Sequence, residues 1–542
     1  MISKVLIIGL DGATFDLIKP WIEQGELPTF KNLMKEGVHG DLNSTIPPLT
    51  PPAWTSLITG KNPGKHNIFD FFKLNKNNYD RAIITSLDKK SESLWNILNK
   101  HNMKTGILNL PFTYPPENIN GFIVCGSESI SVKSDFTYPK NLKKELLENI
   151  KGYRQGLNWS YINKEDHDSF IKDLNFVTEK LEETSVYLIK KYKPEFFMVV
   201  FDDLDRLQHF FWRHMDKKHP MYDKEKSEKY KDAILNYYKK LDLVINNLIK
   251  FADKNTFIMI LSDHGFGPIY KEVYINHYLR SLNLLKLKKE KELQKSILKK
   301  LGITKENLIY LSNSYKLNKI IKKIPYKLKV FLNSNINSTK LGDSSIDWFN
   351  TKAYFFSHSG RGIMINLKNR QINGIVSEGK EYDSIRDLII SKLKRIKDDS
   401  TGKRLIKNIF KREEIYKGSY IKNSPDLIVE MEEGYIAQEG LGKEPIMLSK
   451  QGSAYKSADH KANGIFIAKG PNIIKNKKIK NANILDITPT LLYLLNIPIS
   501  KDIDGKILKE IILNYNSRKV KYVKTNNPEE IKISSAIKNI DY

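Results

Sequence analysis

Residues 4–12 read KVLIIGLDG. Val5–Leu10 runs without a polar break and stops at Asp11-Gly12. A strand with one wet face alternates apolar and polar residues. An unbroken run rich in β-branched side chains instead marks a strand covered on both faces, as in parallel sheets. Runs of the same kind recur at Thr105–Leu108, Gly121–Val124, Phe196–Phe201, Thr256–Leu261 and Gly464–Ala468. Between them, Lys172–Lys191 and Ala233–Ala252 carry apolar residues at helical spacing. Buried strands alternating with long helices predict an α/β fold with a mainly parallel sheet, all six runs lying parallel.

Polar residues follow three of these strands directly. Asp11 ends the first, Asp202, Asp203 and Asp205 follow FFMVVF, and Asp263 and His264 follow FIMILS. In open α/β sheets the ligand crevice lies at the carboxyl ends of the strands, so three strands deliver carboxylates to one edge. DRLQH spaces Asp205 and His209 four apart, one face of a helix. ADHKANG adds His460, and PPLTPPAWTSLITG, residues 47–60, holds Thr50 between two Pro-Pro pairs. Three carboxylates, three imidazoles and a hydroxyl, with no thiolate, suit Zn²⁺, Mn²⁺ or a similar divalent ion. The set is too large for one tetrahedral ion and divides between two.

Composition narrows the class. The chain has 542 residues and a formal net charge of +27, with one cysteine, Cys125. A single cysteine excludes an intrachain disulfide or a thiolate metal site. The N-terminal apolar run is only six residues long and lacks a cleavage site, so a cytoplasmic location is the expectation. No 18-residue apolar segment predicts a membrane span. Between Arg280 and Phe331 there are 15 Lys plus Arg against 3 Glu, in segments that read as basic amphipathic helices. They offer a surface for weak association with anionic membranes. The missing interleaving of basic and stacking aromatic residues argues against nucleic acid. A basic non-catalytic protein that binds one of these polyanions is the competing class.

Five motifs occur in order: IIGLDG (7–12), TPPAWTSLITGKNPGKHNIFDF (50–71), DDLDRLQH (202–209), LSDHGFGP (261–268) and ADHKANGIFIAKGP (458–471). Together they resemble the alkaline phosphatase superfamily and, within it, the type I phosphodiesterase and nucleotide pyrophosphatase family. The resemblance covers residues 1–270 and 458–497. It implies a three-layer α/β/α sandwich with two metals, zinc or manganese, at the carboxyl edge of the sheet. Carried over by residue, Asp11, Thr50, Asp263 and His264 hold one metal, and Asp205, His209 and His460 hold the other. Thr50 is the implied nucleophile: the family's threonine precedes a glycine by ten residues, as Thr50 precedes Gly60, and Thr45, Thr55 and Thr59 do not fit. A sulfatase would carry cysteine or serine there. The implied activity is hydrolysis of small-molecule phosphodiesters through a phospho-threonine. A phosphonate or phosphomonoester hydrolase, or a headgroup phosphotransferase, is the alternative within the superfamily. This chain departs from the nucleotide pyrophosphatases at Ala53, where they carry a phosphoryl-contacting asparagine. A backbone N–H beside Thr50, or a cap residue such as Arg361 in SHSGRG, is a candidate replacement, with a structural role the first reading of Arg361.

The expected organisation is a discontinuous catalytic core, 1–270 and 450–512, interrupted by a basic α+β cap over 271–449. A helix near 382–397 and the strand-like PDLIVEM belong to the cap. ILDITPTLLYLLNI, 484–497, reads as a core helix started by Asp486 with Pro489 in its first turn. Residues 513–542 form a polar tail.

Overall fold

The computed structural model describes residues 2–75, 77–126, 134–158, 160–163, 165–288, 345–356, 361–449, 456–515 and 519–524. The basic helices expected beyond residue 288 and the tail beyond 524 lie outside the described residues.

Ten strands form the central sheet. Those that matter for the site are β1 (Lys4–Leu10), β2 (Val38–Asn43), β3 (Thr105–Leu110), β4 (Gly121–Cys125), β5 (Thr137–Tyr138), β6 (Phe196–Phe201), β7 (Thr256–Leu261) and, beyond β8 (Gly265–Tyr274) and β9 (Ala458–Lys461), the strand β10 (Asn463–Lys469). The order runs β2, β10, β7, β1, β6, β3, β4, β5, with short strands Lys477–Lys478 and Ala482–Asn483 outside β2. The block β7-β1-β6-β3-β4 is parallel, and every residue of β3, β6 and β7 is buried. Helices cover both faces, which is why these strands read as continuous apolar runs. One helical group contains Pro28–Glu36, α2 (His167–Tyr192), α3 (Asp203–Met215) and α4 (Ala233–Ile249). The other contains α1 (Thr50–Thr59), Leu94–Lys100 and Ile487–Leu494. The fold is thus the three-layer α/β/α sandwich expected.

One strand differs from its reading. The run Gly464–Ala468 is a buried central strand, but β10 is antiparallel to both β7 and β2. Its direction follows from connectivity. Only two residues separate His460 from Asn463, so the chain enters β10 at the carboxyl edge and must run back against β7.

Beyond the sheet, β8 is shared between two surroundings. Its first half pairs with β9, Phe266 opposite His460, and its second half pairs with Gly434–Gln438 and Ile446–Leu448. The expected junction at 270/271 falls inside this continuous strand. A four-stranded antiparallel sheet, Ala353–Phe355, Gly362–Ile365, Leu427–Met431 and Ile406–Lys411, has its own buried apolar cluster. Helix Lys380–Leu393 packs against it. Asp486 precedes the helix Ile487–Leu494, as expected. Tyr522–Val523, in the expected tail, pairs with Ile499–Ser500. Among the described residues no helix is long and apolar enough to cross a membrane.

Candidate metal centre

Asp11, Asp263 and His264 sit just past strand ends, Thr50 opens a helix, Asp205 and His209 lie within α3, and His460 lies in β9. Asp11 follows β1, and its N–H donates to Phe201 O across to β6 at 3.1 Å. Gly12 then turns the chain with φ +73°, in the left-handed region glycine adopts freely. A side chain there would stand 2.9 Å from the Phe266 ring. Ser262 follows β7 and locks the turn before Asp263: its hydroxyl donates to Ala13 O and accepts from the Ile465 N–H, both at 2.8 Å. Helix α3 begins two residues after β6 and carries Asp205 and His209 on one face. Thr50 is the first residue of α1, with Pro51 and Pro52 in the turn where helix N–H groups lack partners anyway.

All seven candidates converge as two adjoining groups. In the first, His264 Nε2 lies 3.3 Å from Thr50 Oγ, 3.3 Å from Asp263 Oδ2 and 3.4 Å from Asp11 Oδ1. In the second, Asp205 lies 2.9 Å from His460 Nε2 and 3.4 Å from His209 Nε2, and the two imidazole nitrogens are 3.2 Å apart. Within each trio, Asp11–Asp263–His264 and Asp205–His209–His460, one ligand atom per residue lies within 4.8 Å of the others. The rings of His264 and His460 stack at 3.6 Å and join the groups.

The histidines are prepared as ligands. His209 Nδ1 faces Ala458 O at 2.7 Å, His264 Nδ1 faces Gly265 O at 3.1 Å, and His460 Nδ1 faces Pro48 O at 3.0 Å. A carbonyl only accepts, so each Nδ1 carries the proton and each Nε2 presents its lone pair to the cluster. Burial lowers the His209 imidazole to about 3 and holds His264 well below the usual range, keeping both neutral. Burial alone would raise Asp205, but the His209 and His460 imidazoles that face it pull this carboxyl well below the ordinary value when they carry a proton. Burial, reinforced by the charge of Asp205, pushes Asp263 well above it. Carboxylates this close resist ionising together unless cations balance them. Inward-facing lone pairs, mixed O/N donors and carboxylates crowded into one cluster fit two divalent ions.

Some parts of the site have no sequence signal of their own. Trp54 is buried and donates Nε1–H to Asp11 Oδ2 at 3.1 Å, tying α1 to the end of β1. Its position four residues after Thr50, on the same helical face, is the only hint. Lys456 Nζ lies 3.2 Å from His209 Nε2. The neighbours of Thr50 are engaged as follows. Pro51 and Pro52 have no N–H, the Ala53 N–H is donated to Leu49 O at 2.9 Å, and Arg361 donates to Asp459 Oδ2 at 2.7 Å.

Residues 5–463 match the family model "Type I phosphodiesterase / nucleotide pyrophosphatase". The chain is similar to solved structures of murine ectonucleotide pyrophosphatase / phosphodiesterase 5, one of them an inactive variant in complex with AMP. Identity is 14%, the TM-score 0.49, and the alignment covers 91% of this chain and 95% of that one. The human ectonucleotide pyrophosphatase / phosphodiesterase 5 is similar at the same identity and coverage, with a TM-score of 0.48. No curated protein sequence matches.

Proposed function

This chain belongs to the type I phosphodiesterase / nucleotide pyrophosphatase family, and from that premise we propose that it hydrolyses small-molecule phosphodiesters through a phosphate ester on Thr50. That it is a phosphoester hydrolase of the phosphodiesterase/pyrophosphatase type follows from the family. The covalent route rests on one observation: Thr50 Oγ lies 3.3 Å from His264 Nε2, at the N-terminus of a ten-residue helix and against the Asp11–Asp263–His264 group.

In the proposed assignment Asp11, Thr50, Asp263 and His264 hold one divalent ion, and Asp205, His209 and His460 the other, zinc fitting the donor set best. Bound cations would lower the pKa of the Thr50 hydroxyl and neutralise the phosphoryl charge. The protein's own contribution is placement. The α1 N-terminus favours an anion in front of Thr50. Pro51 and Pro52 fix φ just after it. The bond from Thr50 Oγ to phosphorus forms as the bond to the leaving alcohol oxygen breaks, and that alcohol departs with a proton. Water then displaces Thr50 from phosphorus, restoring the hydroxyl and releasing a phosphate monoester that keeps the second alcohol. Two in-line displacements give retention at phosphorus.

Ala53 sets this chain apart from nucleotide pyrophosphatases, so the proposed substrate is a phosphodiester without commitment to a nucleotide. The test is a panel of aryl phosphodiesters, monoesters and phosphonates with zinc-loaded protein, together with acid-quench mass spectrometry. The diester should show the highest kcat/KM, and one aryl phosphoryl group, still carrying its second ester, should be trapped on the peptide containing Thr50. A better monoester or phosphonate would move the assignment to the corresponding hydrolase. A headgroup phosphotransferase would pass the phosphate to an added alcohol faster than to water. Failure to trap the aryl phosphoryl group under conditions of burst release would refute the threonine route.

A further inference from the structure

Beyond the α1 N-terminus and the proposed cations, the phosphoryl group described above lacks the side-chain donor that an asparagine at position 53 would give, and the nearby charged side chains differ in how they are engaged. Ala53 offers a methyl group, its N–H is bound within α1, and the two prolines have none. Arg361 is held by Asp459. Lys461, one residue past His460, is paired with Asp16 and Glu433. Lys456 is different: its ammonium lies 3.2 Å from His209 Nε2, the atom that Asp205 and His460 also face.

The base of this lysine is rigid. The Ser457 N–H and hydroxyl both donate to His209 O, at 2.6 and 3.0 Å, and the Ser457 hydroxyl accepts from the Arg213 N–H at 3.3 Å. Ser457 O and Ile269 O both accept from His219 Nε2, at 3.0 and 2.7 Å, while His219 Nδ1 accepts from the Met221 N–H. The backbone beside Lys456 is therefore pinned to α3 and β8, and its four-carbon stem holds the charge at the rim of the second ligand group.

Resting on the proposed phosphodiesterase reading, we propose that Lys456 contacts the non-bridging phosphoryl oxygens and takes over the role left open by Ala53. The Nε2 lone pair of His209 serves one partner at a time, a lysine N–H or a cation. When it ligates a cation, the ammonium turns away from that nitrogen, and the stem keeps it within reach of an anion bound at the same group. A phosphoryl oxygen is the acceptor such a charge meets there, and charge-assisted hydrogen bonds of this kind are the strong class. A lysine also suits a substrate selected by charge more than by base identity, because it acts as a point charge without a directional fork.

The experiment compares wild type, Lys456→Met and Lys456→Arg, each purified with zinc. Zinc per chain, calorimetric affinity for inorganic phosphate, and kcat/KM for an aryl phosphodiester are measured. Lys456→Met should keep two zinc ions per chain, bind phosphate about 10–100-fold more weakly and lose a similar factor in kcat/KM. Lys456→Arg should recover most of both. Equal phosphate affinity in wild type and Lys456→Met, with zinc content intact, would overturn the inference and leave the hydrolase reading standing. Loss of zinc in Lys456→Met would also overturn it, assigning Lys456 to support of the ligands. A wild type that takes up no zinc and hydrolyses no ester would remove the parent reading, and this one with it.

Discussion

Thr50 is buried, yet the chemistry proposed for it needs only its hydroxyl. Thr50→Ala should abolish turnover while costing about 1 kcal/mol of stability, the worth of one lost hydrogen bond. Thr50→Ser should keep a measurable fraction of the rate. Circular dichroism melting alongside the assay separates the two effects. Trp54 acts one step removed. Trp54→Phe keeps an aromatic ring in the core but removes the indole N–H that reaches Asp11, so zinc affinity should fall roughly 10-fold, read by competition with a chelating dye. His66 has no part in the metal groups. It is fully buried, its Nδ1 accepts from the Ile68 N–H, and its Nε2 faces Ser56 Oγ at 2.9 Å. Burial lowers its pKa from 6.5 to about 3. Between those values the unfolded chain takes up a proton that the folded protein refuses. Stability contributed by neutral His66 is therefore complete above about pH 6.5 and is lost as pH falls toward 3, on the order of 5 kcal/mol in all. Denaturant unfolding at pH 7.5 and 5 should show the fall, and His66→Gln should flatten it.

Helix α3 carries two of the proposed ligands, and its first turn is held by a buried charge network. Arg206 bridges Asp202 Oδ2 at 2.5 Å and Asp203 Oδ1 at 2.8 Å. Burial, together with the neighbouring Asp202, already pushes the Asp203 carboxyl up to about 7. Arg206→Met would leave two buried acids without their cation, a loss of about 3–5 kcal/mol. A lower urea midpoint together with reduced zinc uptake would show that the network both stabilises α3 and aims Asp205 and His209. The turn after β1 makes a second test. Gly12→Ala places a methyl group 2.9 Å from the Phe266 ring at positive φ. It should destabilise by about 1–3 kcal/mol, with activity falling because Asp11 and Asp263 flank that turn. Legibility differed between elements. Strands β1, β6 and β7 were readable because burial on both faces leaves its mark in each local run. The direction of β10 was not, because a buried strand has the same composition whichever way it runs. Only the two-residue link from His460 reverses it.

Across the whole molecule, the two ligand groups draw on β1, α1, α3, the turn after β7, and β9, from residue 11 to residue 460. Cations bound there would tie these elements together and relieve the repulsion among Asp11, Asp205 and Asp263. Chelation should therefore lower the melting temperature as well as stop turnover. An unchanged melting temperature after verified loss of metal would contradict this. The residue types of the candidate site were legible because the chemistry demands carboxylates and imidazoles just past strand ends, and those positions are local in sequence. Their order along the chain carried the resemblance as well. Tertiary structure decided what depends on distant partners. Pro48 O fixes the tautomer of His460 across 412 residues. Trp54 reaches Asp11. Arg361 is claimed by Asp459, while Lys456 faces His209. Hydrogen bonds of this kind are settled by which chain segments the packed sheet brings into contact, and no local pattern of residues records that.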